Sequence, residues 1–171
     1  MYPTDTVWGI GCDACNAEAV EKVFKIKNRP SEKSMIILLD EATRLNLYVD
    51  EVPGIAWDWI ELTEKPTTII YQGAKKIASN LINPEDGSIA IRIVKDDDFC
   101  KGLIYKFGKP IVSTSANLSG SATPKTFRDI EPAILKAVDY VVNLRQNEAK
   151  TSVESSIVSI LSNGIFKIIR K

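Results

Sequence analysis

The 171-residue chain contains no histidine. That absence removes the side chain that titrates nearest neutral pH, and with it Ser-His-Asp and Cys-His catalysis and the commonest zinc ligand. Cysteine is scarce, with Cys12, Cys15 and Cys100 making three. Cys12 and Cys15 form a C-x-x-C pair, but a structural zinc takes four ligands and only Cys100 remains. The pair therefore reads as two small residues at a helix start. No apolar run approaches the roughly 20 residues that span a bilayer. The N-terminus lacks a basic region followed by an apolar core, so neither a membrane span nor a signal peptide is expected. Neither sign of charge is in excess: Lys+Arg and Asp+Glu both number 22. A globally basic nucleic-acid binder is thereby disfavoured, while a local cationic cavity is not. With few thiols and no export signal, the expected setting is a reducing cytoplasm. No G-x-x-x-x-G-K-[ST] occurs, so an ATP site here is not a P-loop. Chemistry must rest on Lys, Arg, Ser, Thr, Asn, carboxylates, a bound metal or the substrate's own groups.

What is present fits one globular domain over residues 1–171, with 44% apolar and 26% charged residues. It opens abruptly on Tyr2–Gly9, the end of a strand entering a polar turn, so part of a first strand is expected to be missing. Val20, Val23 and Phe24 recur at helical spacing over Ala17–Lys27, with Asn16 as N-cap. Strand signals follow at Met35–Leu39, Thr67–Tyr71, Ser88–Val94, Pro110–Val112 and Tyr140–Leu144. Helices are expected at Glu41–Tyr48, Ile55–Leu62, Ala74–Leu81, Asp96–Phe107 (closed by Gly108) and Phe127–Ala137, the last broken at Pro132. Ile157–Leu161 and Ile165–Ile169 flank Ser162-Asn163-Gly164 as a hairpin. Interleaved strands and helices predict an α/β fold with a twisted mixed parallel/antiparallel sheet flanked by helices.

Three stretches carry chemistry. Ser113-Thr114-Ser115-Ala116-Asn117-Leu118-Ser119-Gly120 follows a buried strand and reads as a loop, crowding hydroxyls, an amide and backbone N–H groups where phosphate or carboxylate oxygens could bind. Read alone, it is more simply a Ser/Thr-rich turn capping the next helix. Lys27-Asn28-Arg29-Pro30, with Lys33 close behind, either complements a helix dipole or clamps phosphate, Arg as a planar fork and Lys as a point charge. Arg92 stands alone on the polar face of an Ile-rich strand, and on an internal strand it would point into a cavity and require an anion. Gly9-Ile10-Gly11-Cys12-Asp13-Ala14 also fits the G-x-G-x-x-A dinucleotide fingerprint, with Asp40 as the ribose-binding acid, which leaves a dinucleotide-dependent oxidoreductase as an alternative.

Taken in order and spacing, Tyr2-Pro3-Thr4-Asp5-Thr6-Val7-Trp8-Gly9-Ile10-Gly11, Lys27-Asn28-Arg29-Pro30, Ile91-Arg92-Ile93, Ser113–Gly120 and Ser155-Ser156-Ile157-Val158 resemble the YrdC/Sua5 family over essentially the whole chain. The paired K-x-R and S-x-N signatures are Lys27/Arg29 and Ser115/Asn117. The resemblance implies a nucleotidyltransferase, an L-threonylcarbamoyladenylate synthase that joins L-threonine, bicarbonate and ATP with Mg²⁺ and releases pyrophosphate. The product serves tRNA threonylcarbamoyladenosine modification through a downstream tRNA threonylcarbamoyl transferase. By position, the resemblance assigns Arg29, Lys33, Ser88, Ser115, Thr123 and Arg170 to ATP. Thr6, Arg92, Ser113 and Ser156 fall where threonine is held, and Lys27, Arg29, Ser115 and Asn117 form the catalytic signature. It includes no metal ligand of the protein's own. Trp8 stands where the family usually has tyrosine, Leu38 where many members carry histidine, and Ser156 where threonine is usual. A non-catalytic RNA-binding module using the same cavity is the other reading, and weak tRNA or RNA contact is compatible with both.

Overall fold

In a computed structural model the described residues are 1–30, 35–148, 154–161 and 163–171. Seven strands form one sheet: β1 (Gly9–Ile10), β2 (Ile36–Leu39), β3 (Thr67–Tyr71), β4 (Ile89–Ile93), β5 (Ile111–Ser115), β6 (Ser156–Ile160) and β7 (Phe166–Arg170), in the order β1-β5-β2-β4-β3-β6-β7. β2/β4 and β3/β6 pair parallel, and the other neighbours pair antiparallel. The α/β mixed-sheet expectation holds. β4 is internal, so Arg92 does sit on a strand flanked on both sides.

Helices α1 (Ala17–Lys27), α2 (Gly54–Leu62), α3 (Asp98–Phe107) and α4 (Pro132–Ala137) surround the sheet. α1 starts where Asn16 Oδ1 accepts from the Glu18 and Ala19 amides at 3.0 and 3.1 Å, satisfying donors that have no partner within the helix. It stops at Asn28, whose φ of 47° takes the chain into the left-handed region. α3 is capped by Asp97, which accepts from the Cys100 amide at 2.8 Å, and ends on Gly108 at φ 75°.

The sheet's two faces have different fates, and strand alternation decides which residue meets which. On one face Ile37, Leu39, Ile69, Ile91, Val112 and Val158 join Val20, Val23 and Phe24 of α1 and Ala56 of α2 in the main core. On the other, Leu38 and Ile111 pack with Cys100 and Ile104 of α3 and with Tyr2 and Val94. α3 covers only part of that second face, and the remainder stays open.

Four expectations are corrected. Ala42–Leu47 is a 3-10 helix rather than an α-helix. Of Ala74–Leu81 only Ser79–Leu81 is helical, also 3-10: the amides of Ala74, Lys75 and Ala78 donate instead to Gly87, Tyr48 and Ala14 carbonyls, at 3.1, 2.8 and 2.9 Å. Tyr140–Leu144 is not a strand, being tied by Met1 N donating to Tyr140 O and Val142 N to Met1 O. Ser113–Ser115 is not loop but the end of β5, paired with Gly9, Ile10 and Ile36. The Ile157–Leu161/Ile165–Ile169 hairpin forms as β6 and β7, with Gly164 at φ 81°; Ser162 lies outside the described residues.

Candidate active site

The open part of the second face is the floor of a cleft. Register puts Ser113 beside Ile36, Arg92 beside Thr68, and Ile157 beside both Thr68 and Arg170. The side chains alternating toward this face include Ser113, Ser115, Ile36, Arg92, Ser155, Ile157 and Arg170, and all of them line a cleft of about 810 Å³, open mouth included. Arg29, Arg92 and Arg170 bring three guanidinium groups to its wall, against Glu154 as the lining carboxylate.

Each group is held differently. The Thr4 hydroxyl accepts from the amides of Thr6 and Val7 at 3.0 and 3.1 Å and donates to Val7 O at 2.7 Å. This closes the Pro3–Val7 turn and presents the Thr6 hydroxyl, which accepts from Arg92 Nη1 at 3.2 Å. Arg92 is only 2% exposed, and its Nη2 lies 3.0 Å from Asp5 Oδ1. Arg29 enters the cleft because Asn28 reverses the chain and the Arg29 amide donates to Phe24 O at 3.0 Å. Burial lowers the Arg29 pKa. Arg170 donates through Nε and Nη2 to Ser155 O at 3.0 and 2.7 Å and through Nη1 to Glu154. Thr123 donates to the other Glu154 oxygen at 2.7 Å.

The expected site residues therefore separate. Thr6, Arg29, Arg92, Ser113, Ser115 and Arg170 share the cleft, and Thr123 reaches it through Glu154. Lys27 and Asn117 are buried beneath it, and neither lines it. Lys27 Nζ donates to Ser115 O, to Asn117 O at 2.7 Å and to Asn117 Oδ1 at 3.4 Å. Ser156 points the other way, into a cleft behind β6 with Trp59 and Thr67. Ser88 is buried at the start of β4, its amide donating to Asp86 Oδ1 at 3.0 Å, and does not line the cleft. Lys33 lies outside the described residues.

Sequence reading missed Glu154 and Ser155. Ser155 was findable: if Val158 faces the core, alternation places Ser156 on the core side and Ser155 on the cleft side. Glu154 carries no comparable signal, because its role depends on where β7 brings Arg170.

The dinucleotide fingerprint is accounted for by packing. A Cβ on Gly11 would lie 2.2 Å from Val112 O and 2.6 Å from Tyr2 Cε1, so that glycine exists for close approach of two chain segments. β5 lies between β1 and β2, so the two strands of the fingerprint are not neighbours, and Asp40 accepts from Arg44 at 2.6 Å, which leaves no free ribose acid. The three cysteines are free thiols, and Cys12 is pushed up to about 12 by burial and by Asp13. Among the described residues no three Cys, Asp or Glu side chains converge on a metal position, and no helix is long and apolar enough to cross a membrane.

The model of the Sua5/YciO/YrdC family, described as "Telomere recombination", matches residues 1–171. The chain belongs to that family. A threonylcarbamoyl-AMP synthase of Pseudoalteromonas translucida is 36% identical over 146 residues, covering 84% of this chain and 77% of the relative. Another, from Riesia pediculicola, is 32% identical over 167 residues, covering 95% and 86%. Among solved structures, E. coli YciO superposes with a TM-score of 0.83 at 22% identity, covering 99% of this chain and 81% of that one. P. abyssi Sua5 complexed with L-threonine gives a TM-score of 0.74 at 22% identity, covering 93% of this chain and 46% of that longer one. At such identities the two structures speak for the fold. The curated relatives place this chain among enzymes, and the oxidoreductase alternative falls with that family membership.

Proposed function

We propose that this chain makes L-threonylcarbamoyl-AMP from L-threonine, bicarbonate and ATP, releasing pyrophosphate, for tRNA threonylcarbamoyladenosine modification. The observation that carries the reading is the cleft itself: three arginines and a ladder of hydroxyls on one sheet face, in a protein whose net charge is zero. Such a lining suits a substrate pair bearing a carboxylate and a polyphosphate.

In this reading Arg92, with Thr6 and Ser113, takes the threonine carboxylate. The threonine amine and bicarbonate condense to a carbamate with loss of water. A carbamate oxygen attacks the α-phosphorus of ATP, the bond to the β-phosphate oxygen breaks, and pyrophosphate leaves. No histidine is required, because the protein's tasks are orientation and charge neutralisation. Arg29, Arg170 and the Ser115 hydroxyl are placed to meet phosphate charge. Mg²⁺ prefers oxygen ligands and is commonly held by phosphates, water and one or two carboxylates. Glu154 offers such a carboxylate at the cleft. When bound, the ion would supply further neutralisation of the phosphates. The product, a labile mixed anhydride, would pass in the cytoplasm to a tRNA threonylcarbamoyl transferase.

The test is pyrophosphate release from ATP with Mg²⁺, with and without L-threonine and bicarbonate. Release that needs both co-substrates is expected. A folded protein that releases none, yet binds RNA with a steep salt dependence, would sink the synthase reading in favour of a binding module.

A further inference from the structure

Lys27 occupies an unusual position. It continues the buried stripe of α1, four residues after Val23, and is itself only 1% exposed. A buried ammonium normally demands a carboxylate; here its hydrogen-bond acceptors are Ser115 O, Asn117 O and Asn117 Oδ1, all from the segment leaving β5. The same segment is bound to α1 from the other direction, the Ser119 amide donating to Lys27 O at 2.7 Å. Asn117 in turn donates through Nδ2 to Ser121 O at 2.6 Å. Lys27 and Asn117 are thus tied to each other beneath the cleft, whereas Arg29 and Ser115, their signature partners, line it.

We propose that the two signatures divide by role: Arg29 and Ser115 face the ligand, while Lys27 is a positioning residue that fixes the Ser115–Ser121 segment to the end of α1. Its ammonium works as a three-way donor, and it contributes to nucleotide binding only through the groups it orders. The ligand side of the inference rests on the synthase reading; the clamp itself does not.

The groups facing Lys27 with charge are Arg29, which lowers its pKa, and Glu154, which raises it; burial is the largest cause, and the net position is about 8. The clamp should therefore loosen just above neutral pH. Two measurements on the full chain test this. In Lys27→Met, hydrogen exchange of the 115–121 amides rises about tenfold, and the KM for ATP rises about tenfold while that for threonine moves less than about threefold, since Ser113 is held by β5 pairing. Equal rises in both KM values, or unchanged exchange, overturn the proposal. Should the variant fail to fold, wild-type protein suffices. Exchange of the same amides, corrected for its intrinsic pH dependence, must rise as the Lys27 side chain titrates by lysine-selective NMR. A flat corrected rate through that titration overturns the proposal. Absent pyrophosphate release would remove the synthase reading alone and leave both exchange tests decisive.

Discussion

Arg92 and Asp5 face each other with charges matched and hydrogen bonding incomplete. Nη2 lies 3.0 Å from Asp5 Oδ1, yet Arg92 Nε and Asp5 Oδ1 are both buried without a hydrogen-bond partner among the described residues. Buried polar atoms left so are costly, on the order of 1–3 kcal/mol each. An arginine whose Nε is spare, at the wall of an open cleft, is suited to a second anion. Arg92→Lys keeps the charge and removes the fork. The expected outcome is a rise in KM for threonine of about tenfold or more with the KM for ATP within about twofold. Pyrophosphate release titrated separately in each substrate checks it, and parallel rises in both would reassign Arg92.

Glu154 sets up a contest at the other end of the cleft. Its carboxylate engages Thr123 and Arg170, two groups the synthase reading gives to ATP. Glu154→Gln removes a negative charge from a cleft meant for phosphates. Mg²⁺-free ATP should bind several-fold more tightly, and the gain on adding Mg²⁺ should shrink, because the carboxylate that would hold the ion in the synthase reading is lost. Calorimetric titrations of ATP with and without Mg²⁺ measure both quantities. Weaker Mg²⁺-free binding would mean that Glu154 orders Arg170 for the nucleotide rather than competing with it.

Sheet alternation makes a third prediction. Ser155 and Ser156 are neighbours with opposite orientations, Ser155 at the cleft and Ser156 behind β6. The Ser155 hydroxyl also meets Thr68 Oγ1 at 2.9 Å. Ser155→Ala should lower kcat/KM for threonine about tenfold, and Ser156→Ala less than about twofold. The reverse ranking would show that the register of β6 shifts when substrate binds.

These cases mark what was legible in the sequence. Elements whose signals are local were readable: Asn16 and Asn28 bracket α1, Gly108 ends α3, and the turn before Ile165 gives the last hairpin. Arg92 was readable because one cation on an Ile-rich strand has few explanations. Elements decided by distant partners were not. The 74–78 backbone donates to carbonyls of residues as far away as Ala14 and so forgoes a helix. Ser113–Ser115 becomes strand because Gly9 and Ile36 lie beside it. Lys27 read either as a complement to the helix dipole or as part of a phosphate clamp; only its place on the stripe of Val20, Val23 and Phe24 hinted that it is buried.

Gly11 offers a test of the fold independent of ligand. A side chain there meets backbone oxygen at 2.2 Å, and backbone cannot rotate away as a side chain can. Gly11→Ala should cost on the order of 3 kcal/mol through forced separation of the segments carrying Gly11 and Val112. Gly102→Ala, where an added Cβ meets nothing within 4 Å on a half-buried turn of α3, should be neutral or slightly stabilising. Urea unfolding of both variants compares them directly, and an unaffected Gly11→Ala protein would show that this chain crossing tolerates a side chain.

The buried ammonium makes stability and function part company with pH. Lys27 titrates at about 8 in the folded chain, against an ordinary value of 10.5. Between those values the folded protein has released the proton and the unfolded chain still holds it. Raising the pH therefore relieves the cost of burying the charge, and the contribution of Lys27 to stability climbs from pH 8 to 10.5. Other alkaline titrations, such as those of the thiols and tyrosines, are common to wild type and Lys27→Met and cancel in their difference. The Tm of wild type minus that of the variant should thus increase over this range, by several degrees. Over the same range the clamp on Ser115 and Asn117 slackens and kcat/KM for ATP falls. A difference in Tm that stays flat or shrinks would mean that the ammonium is not desolvated by this fold.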